Sequence, residues 1–193
     1  LRWVTIPEGV RKEEIAELFR EALGWSDATA EEWVTRDTAA RPDYLEGVYF
    51  PDTYLVPLSA TGAEVAERLI AKFNEKFTPY APLAEKQNIK WTTVLKLASI
   101  IQREAAGKKD MPLIAGILWN RLEKSMRLEV DATLQYARGN TSNGWWVPIT
   151  AADKKLDSPY NTYGVAGLPP HPIANPGIDA IAAVIAPTKT NCL

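Results

Sequence analysis

A chain of 193 residues, 46% hydrophobic and 24% charged, is long enough to bury a full core without help from disulfides or metal. Its formal net charge of −2 leaves no basic excess to neutralise phosphates, which argues against nucleic acid as the main partner. The single cysteine, Cys192, excludes an internal disulfide and a zinc-type cysteine cluster, and no apolar run approaches the ~20 residues of a membrane helix.

No signal peptide is visible. The chain opens on Leu1 and stops after Thr-Asn-Cys-Leu, which reads as a piece of a longer polypeptide, with any anchor or export signal expected outside it. Residues 1–9 alternate and are β-branched before Pro7 and Gly9, predicting a short strand and a turn. Ile15, Leu18, Phe19 and Ala22 then recur at helical spacing up to Gly24, predicting a helix over 10–24. Thr29 with Glu32 has the form of a capping box for a short helix through Trp33, and Arg41-Pro42-Asp43 marks a loop.

Residues 44–57 predict a strand and a turn, with a bend at Pro51-Asp52. Thr61 with Glu64 is a second capping box, followed by Val65, Leu69 and Phe73 on one face of a helix to about Phe77. Pro79 and Pro82 interrupt. A helix follows over 91–106, then another from Asp110-Pro112 carrying Ile114, Ile117, Leu118 and Leu122. Residues 127–139 predict mixed strand and helix, and 140–146 a loop. The stretch from Leu156 to Pro176 holds five prolines and two glycines; Tyr160, Tyr163, Leu168 and Ile173 predict that it packs as an ordered wall beside a site. Asn175-Pro176 is expected to cap a last helix over 177–186. The sum is an α+β protein, with a small unit over 1–42 and a larger, helix-rich one over 43–193.

Within the helix at 91–106, Val94, Ala98, Ile101 and Ala105 form one stripe flanked by Leu97 and Ile100. At ~100° per residue Glu104 falls on the shoulder of that buried face, with Lys96, Ser99 and Arg103 on the solvent side. Two readings are open. Glu104 is a salt-bridged or snorkelling residue at the core's edge, or a carboxyl in an apolar setting whose raised pKa makes it a proton donor near neutral pH. Such an acid suits glycosidic cleavage, where an ether oxygen must be protonated to leave. Seven tryptophans are spread along the chain, and the adjacent Trp145 and Trp146 cannot both point inward from a strand. One of them is expected to line a surface or groove.

Four blocks, LEGVYFPDTY (45–54), LASIIQREA (97–105), ILWNRLEKSMRLEVDATLQY (117–136) and SPYNTYGVAGLPPHPIANPGIDAIAAVIAP (158–187), resemble in order the signatures of the YceG-like (MltG) family of endolytic murein transglycosylases. The opening VTIPEGV…IAELF resembles that family's LysM-like segment, implying a LysM-like unit over 1–42 and a YceG-like catalytic domain over 43–193. The resemblance implies cleavage of the MurNAc-β-1,4-GlcNAc bond within peptidoglycan strands by attack of the muramic C6 hydroxyl, leaving 1,6-anhydro ends. It implies no cofactor and no metal. It also implies peptidoglycan glycan strands, and beyond them peptidoglycan synthases, as partners, with a role in ending nascent strands. The family is tethered by one N-terminal helix to the cytoplasmic membrane, with the enzyme on the extracytoplasmic side.

Residue by residue, Glu104 matches the family's catalytic glutamate; Gln102 stands where relatives often carry a second. Asn120 and Arg121 are expected to bind sugar hydroxyls or the N-acetyl group, with a surface ion pair the other reading for Arg121. Asp131 and Thr133 match the family's D-P-T step, with Ala132 in place of proline, and Gln135 follows. Ser158, Tyr160, Asn161, Thr162 and Tyr163 form a polar, aromatic cluster that binds an aminosugar or merely builds turns. Glu46 is a second carboxylate candidate, read as structural. His171 stands where relatives carry glycine and has no partner for a metal site. Two other functions stay open: a muramidase that uses water and two carboxylates, and a non-catalytic peptidoglycan-binding module.

Overall fold

The computed structural model describes residues 1–193. Strand β1 (Arg2–Thr5) pairs antiparallel with β2 (Thr53–Val56), Arg2 opposite Val56 and Val4 opposite Tyr54. Val4, Tyr54 and Val56 are buried while Trp3 is 65% exposed, so this small sheet has one wet face. Between the strands lie α1 (Lys12–Leu23), α2 (Asp27–Glu32) and a π-helical turn over Trp33–Asp37. Gly24 ends α1 at φ +70, the left-handed cap expected of glycine.

Six further helices follow: α3 (Gly62–Phe77), α4 (Ala81–Lys86), α5 (Trp91–Glu104), α6 (Met111–Glu123), α7 (Asp131–Arg138) and α8 (Ile178–Ile185). The chain is thus mixed and helix-rich with one two-stranded sheet, the α+β class expected. Helix α5 is its axis: Val94, Leu95, Leu97, Ala98, Ser99, Ile100 and Ile101 are all buried, with α8 and α6 packed against it. Buried residues from Val4 to Ile185 form one cluster. Residues 1–42 and 43–193 therefore share a hydrophobic core, and β2, which completes the sheet, lies beyond residue 42.

Several local expectations need correction. Helix α2 starts earlier than Thr29: Ser26 is its N-cap, accepting from the Thr29 N–H at 3.1 Å. Residues 127–139 contain no strand; Glu129 turns left-handed at φ +55 and an extended Val130 then opens α7. Asn175 does not cap α8, whose N-cap is Gly177. Its amide instead accepts from the Tyr49 N–H and donates to Glu46 and to the Val10 carbonyl. By contrast Thr61 and Glu64 do close the α3 capping box. The proline-rich stretch packs: Asn161, Thr162, Ile173, Ala174 and Asn175 are buried, and the Ile173 N–H donates to Ser99 of α5 at 3.0 Å.

Candidate active site

Glu104 is the last residue of α5, because Ala105 turns extended (ψ 133). Its surface is open to solvent on one side. On the other, protein crowds the carboxyl and raises its pKa; the charge of Asp131 pushes the same way. The Ala132 N–H and Arg103 pull less strongly downward. The negative end of the α5 dipole adds to the rise.

Asp131 is brought to Glu104 by a clamp of threonines. The Val130 N–H donates to Thr162 Oγ1 at 3.0 Å, Thr133 Oγ1 donates to the Val130 carbonyl at 2.7 Å, and the two hydroxyls lie 2.9 Å apart. This pins the first turn of α7 to the segment 158–164. Asn161 shapes that segment, donating to the Lys154 and Leu156 carbonyls and accepting from the Tyr163 and Gly164 N–H groups. The result sets the Tyr163 hydroxyl 2.6 Å from Asp131 Oδ1 as a donor. Burial and that carboxylate push the phenol up to about 12, so it stays neutral. Lys154 sits over the Tyr163 ring at 4.3 Å.

The expected site residues therefore divide. Glu104, Asp131 and Tyr163 come together at the ends of α5 and α7 with polar atoms facing solvent. Thr133, Asn161 and Thr162 are buried, with their side chains committed to backbone and to each other. Ser158 Oγ accepts from the Tyr160 N–H at 3.2 Å. Tyr160 packs against Tyr136 with the rings tilted by 44°, their centres 5.0 Å apart. Gln135 donates to the Trp146 and Val147 carbonyls. Asn120 donates to the Thr190 and Cys192 carbonyls at 2.7 and 2.9 Å, fastening the C-terminal segment to α6. Arg121 donates to the Leu128 carbonyl and stands 3.9 Å from Glu129.

Glu46 is buried, and every group that touches its oxygens is a donor: the Lys12 N–H at 3.2 Å, Asn175 Nδ2 at 2.6 Å and the Tyr136 hydroxyl at 3.4 Å. It caps α1 from across the fold. Burial pushes it up to about 7. His171 is half-buried, its pKa lowered by burial and by Lys96.

Sequence reasoning missed Arg103. The helical wheel puts it in solvent; in the fold it is half-buried, its guanidinium 3.8 Å from the centre of the Trp146 ring and donating to the Gly9 carbonyl at 3.3 Å. The Trp145-Trp146 pair was the signal. Arg11 likewise lies between the Tyr136 and Trp145 rings, at 4.1 and 4.3 Å. A surface cavity of about 670 Å³ lies at the opposite end of α5 beside Phe77, Ile89 and Trp91 and includes none of the expected site residues.

An acid at a helix end, raised by its surroundings and paired with a carboxylate–phenol couple, is a site suited to proton transfer at a glycosidic oxygen. The profile of the YceG-like family matches residues 1–193, and the chain belongs to that family. It is 31% identical, over its whole length, to an endolytic murein transglycosylase of Streptococcus pneumoniae serotype 2, of which it covers 40%. It is 37% identical over 77% of its length to an endolytic murein transglycosylase of Bacillus subtilis strain 168, of which it covers 41%. The chain thus spans about two fifths of the length of these curated relatives. Its fold matches the crystal structure of a yceG-like protein of Listeria monocytogenes with a TM-score of 0.85 at 29% identity, covering 98% of this chain and 68% of that one.

Proposed function

We propose that this chain carries the catalytic part of an endolytic murein transglycosylase, with Glu104 as acid and then base. Glu104 protonates the glycosidic oxygen as the muramic C1–O bond breaks. The carboxylate so formed takes the proton of the C6 hydroxyl as O6 bonds to C1. No water is consumed and the product ends in a 1,6-anhydro sugar. The observation that carries this reading is the raised Glu104 carboxyl, open to solvent at the end of a buried helix. The relatives' names support the same reaction.

Asp131 and Tyr163 are the residues we propose to meet the sugar beside the scissile bond. Arg121, Gln135, Ser158 and Tyr160 are proposed to shape the groove, Thr133, Asn161 and Thr162 to hold its backbone, and Asn120 only to fasten the C-terminal segment. The LysM-like unit is proposed to extend past residue 42 to Val56, on the strand–helix–helix–strand order that β2 closes. No helix is long and apolar enough to cross a membrane. Anchoring in the cytoplasmic membrane, action on its outer side, the ending of nascent strands and contact with peptidoglycan synthases are proposals for the longer protein.

Asp131 favours one second reading. Its charge acts on Glu104, so it is the carboxylate that a water-using muramidase would employ. Glu46, buried and surrounded by donors, is not available for that role. Mass spectrometry of products from purified peptidoglycan separates the two. Anhydro ends, one water lighter than reducing ends, are the expected result; reducing ends would make the enzyme a hydrolase. Glu104→Gln should cut the rate by ~10²–10⁴-fold with an unchanged melt. Full activity in that variant would remove Glu104 as the acid, and no cleavage by the wild type would favour the binding-module function.

A further inference from the structure

Arg103 is the neighbour of Glu104 in the chain, and a guanidinium that paired with the acid would strip it of its proton. The two form no ion pair. Arg103 instead reaches the turn that precedes α1, lying 3.8 Å from the centre of the Trp146 ring and donating to the Gly9 carbonyl. The charge that compensates it most strongly is Glu14, ahead of Glu104. Trp146 is itself held from several sides. Its indole N–H donates to Glu14 Oε2 at 2.9 Å, Gln135 donates to its carbonyl at 3.2 Å, and Arg138 donates to the carbonyls of Val147 and Pro148. Glu14 is fixed in turn by accepting from the Arg11 N–H at 3.0 Å.

We propose that Trp146 is a positioning residue for Glu104: its indole face, anchored on Glu14, holds the Arg103 guanidinium against Gly9 and away from the acid. This rests on Glu104 as the proton donor. Cation–aromatic stacking of a half-buried arginine is attractive enough to compete with a solvent-exposed carboxylate for the same cation. The charged and titratable groups facing Glu104 are then Asp131 from α7, Tyr163 from the 158–164 segment, and Arg103 at a distance. Two of the three leave the acid's proton in place or favour it, and the third is turned aside.

The test is a ¹³C NMR titration of the Glu104 side-chain carboxyl in the 193-residue protein, assigned with Glu104→Gln. Trp146→Leu should lower the midpoint by about one pH unit, the low end of what an adjacent arginine does to a carboxylate. Trp146→Phe, which keeps a ring face but loses the bond to Glu14, should fall between the wild type and Trp146→Leu, and Trp146→Leu with Arg103→Gln should return to the wild-type midpoint. In peptidoglycan cleavage the basic limb of kcat/KM should move down with the midpoint. An unchanged midpoint in a folded Trp146→Leu protein overturns the proposal, even if activity drops. Where that variant does not fold, Glu14→Gln serves: a fall in midpoint supports the anchor, and none refutes it. Activity surviving in Glu104→Gln would sink the acid assignment and leave the titration result standing.

Discussion

Glu46 offers the sharpest check on the fold's electrostatics. Its carboxyl is raised from 4.5 to about 7, first by burial and then by Glu13, against the Lys12 N–H and the Lys12 and Arg11 charges. Folding therefore holds a proton that the unfolded chain releases near pH 4.5. Below that value both states are protonated and Glu46 adds no pH dependence. As pH climbs to about 7 the native state binds more protons than the unfolded state, so stability falls with rising pH. A shift from 4.5 to about 7 is worth about 3 kcal/mol, all lost once pH exceeds the folded value.

Glu46→Gln fixes the neutral form. Its amide oxygen keeps the bonds from the Lys12 N–H and Asn175, and its NH₂ can donate to the Tyr136 hydroxyl. Urea unfolding of both proteins across this window isolates the group, because all other carboxylates are common to both. At the acid end the two should agree within about 1 kcal/mol, the worth of one rearranged hydrogen bond. At about pH 8 the glutamine protein should be the more stable by about 2–3 kcal/mol. Parallel stability curves would refute the reasoning: Glu46 would then ionise in the fold as it does in the unfolded chain.

Three other substitutions probe the site's frame. Tyr163→Phe removes the donor on Asp131, leaving its charge on Glu104 less shielded; the basic limb of the cleavage profile should move up, and a downward move would contradict the placement of Asp131. Asn120→Ala should cost about 1–2 kcal/mol in chemical unfolding and speed proteolysis of the last residues while leaving glycan cleavage intact. A drop in cleavage would return Asn120 to the substrate. Gly47→Ala should destabilise by roughly 1–3 kcal/mol in thermal melts, because φ is +89 and a Cβ would stand 2.7 Å from Pro172 Cγ.

Most helices are legible because their apolar spacing and their stops agree. Residues 10–24, 61–77 and 91–106 have one greasy face and a clear terminus, and α1, α3 and α5 fall there within a residue or two. The misses occur where one residue type serves two purposes. Ser26 and Thr29 can each cap a helix, and nothing local decides that the earlier one does. Asn175 beside Pro176 has the composition of a cap, yet its amide is claimed by Tyr49, Val10 and Glu46 from distant segments. A wheel gives the angle of a side chain about its own helix. It cannot say that a loop more than forty residues later will lay Trp146 over Arg103.

The same limit governs the site. Motif blocks rich in Asn, Ser, Thr and Tyr suggest a sugar-binding surface, but the fold turns most of these groups inward. Thr133 and Thr162 clamp α7 to the 158–164 segment, and Asn161 builds the turn that presents Tyr163. A buried amide or hydroxyl with all its bonds made has nothing left to offer a substrate, and removing it would cost its partners their pairing. In the proposed mechanism their contribution is indirect: they fix where Asp131 and Tyr163 stand relative to Glu104. That leaves three groups with polar atoms facing solvent at the meeting of α5 and α7. Whether Asp131 activates water or only holds Tyr163 decides between hydrolysis and intramolecular attack, and the end group of the cleaved strand reports which.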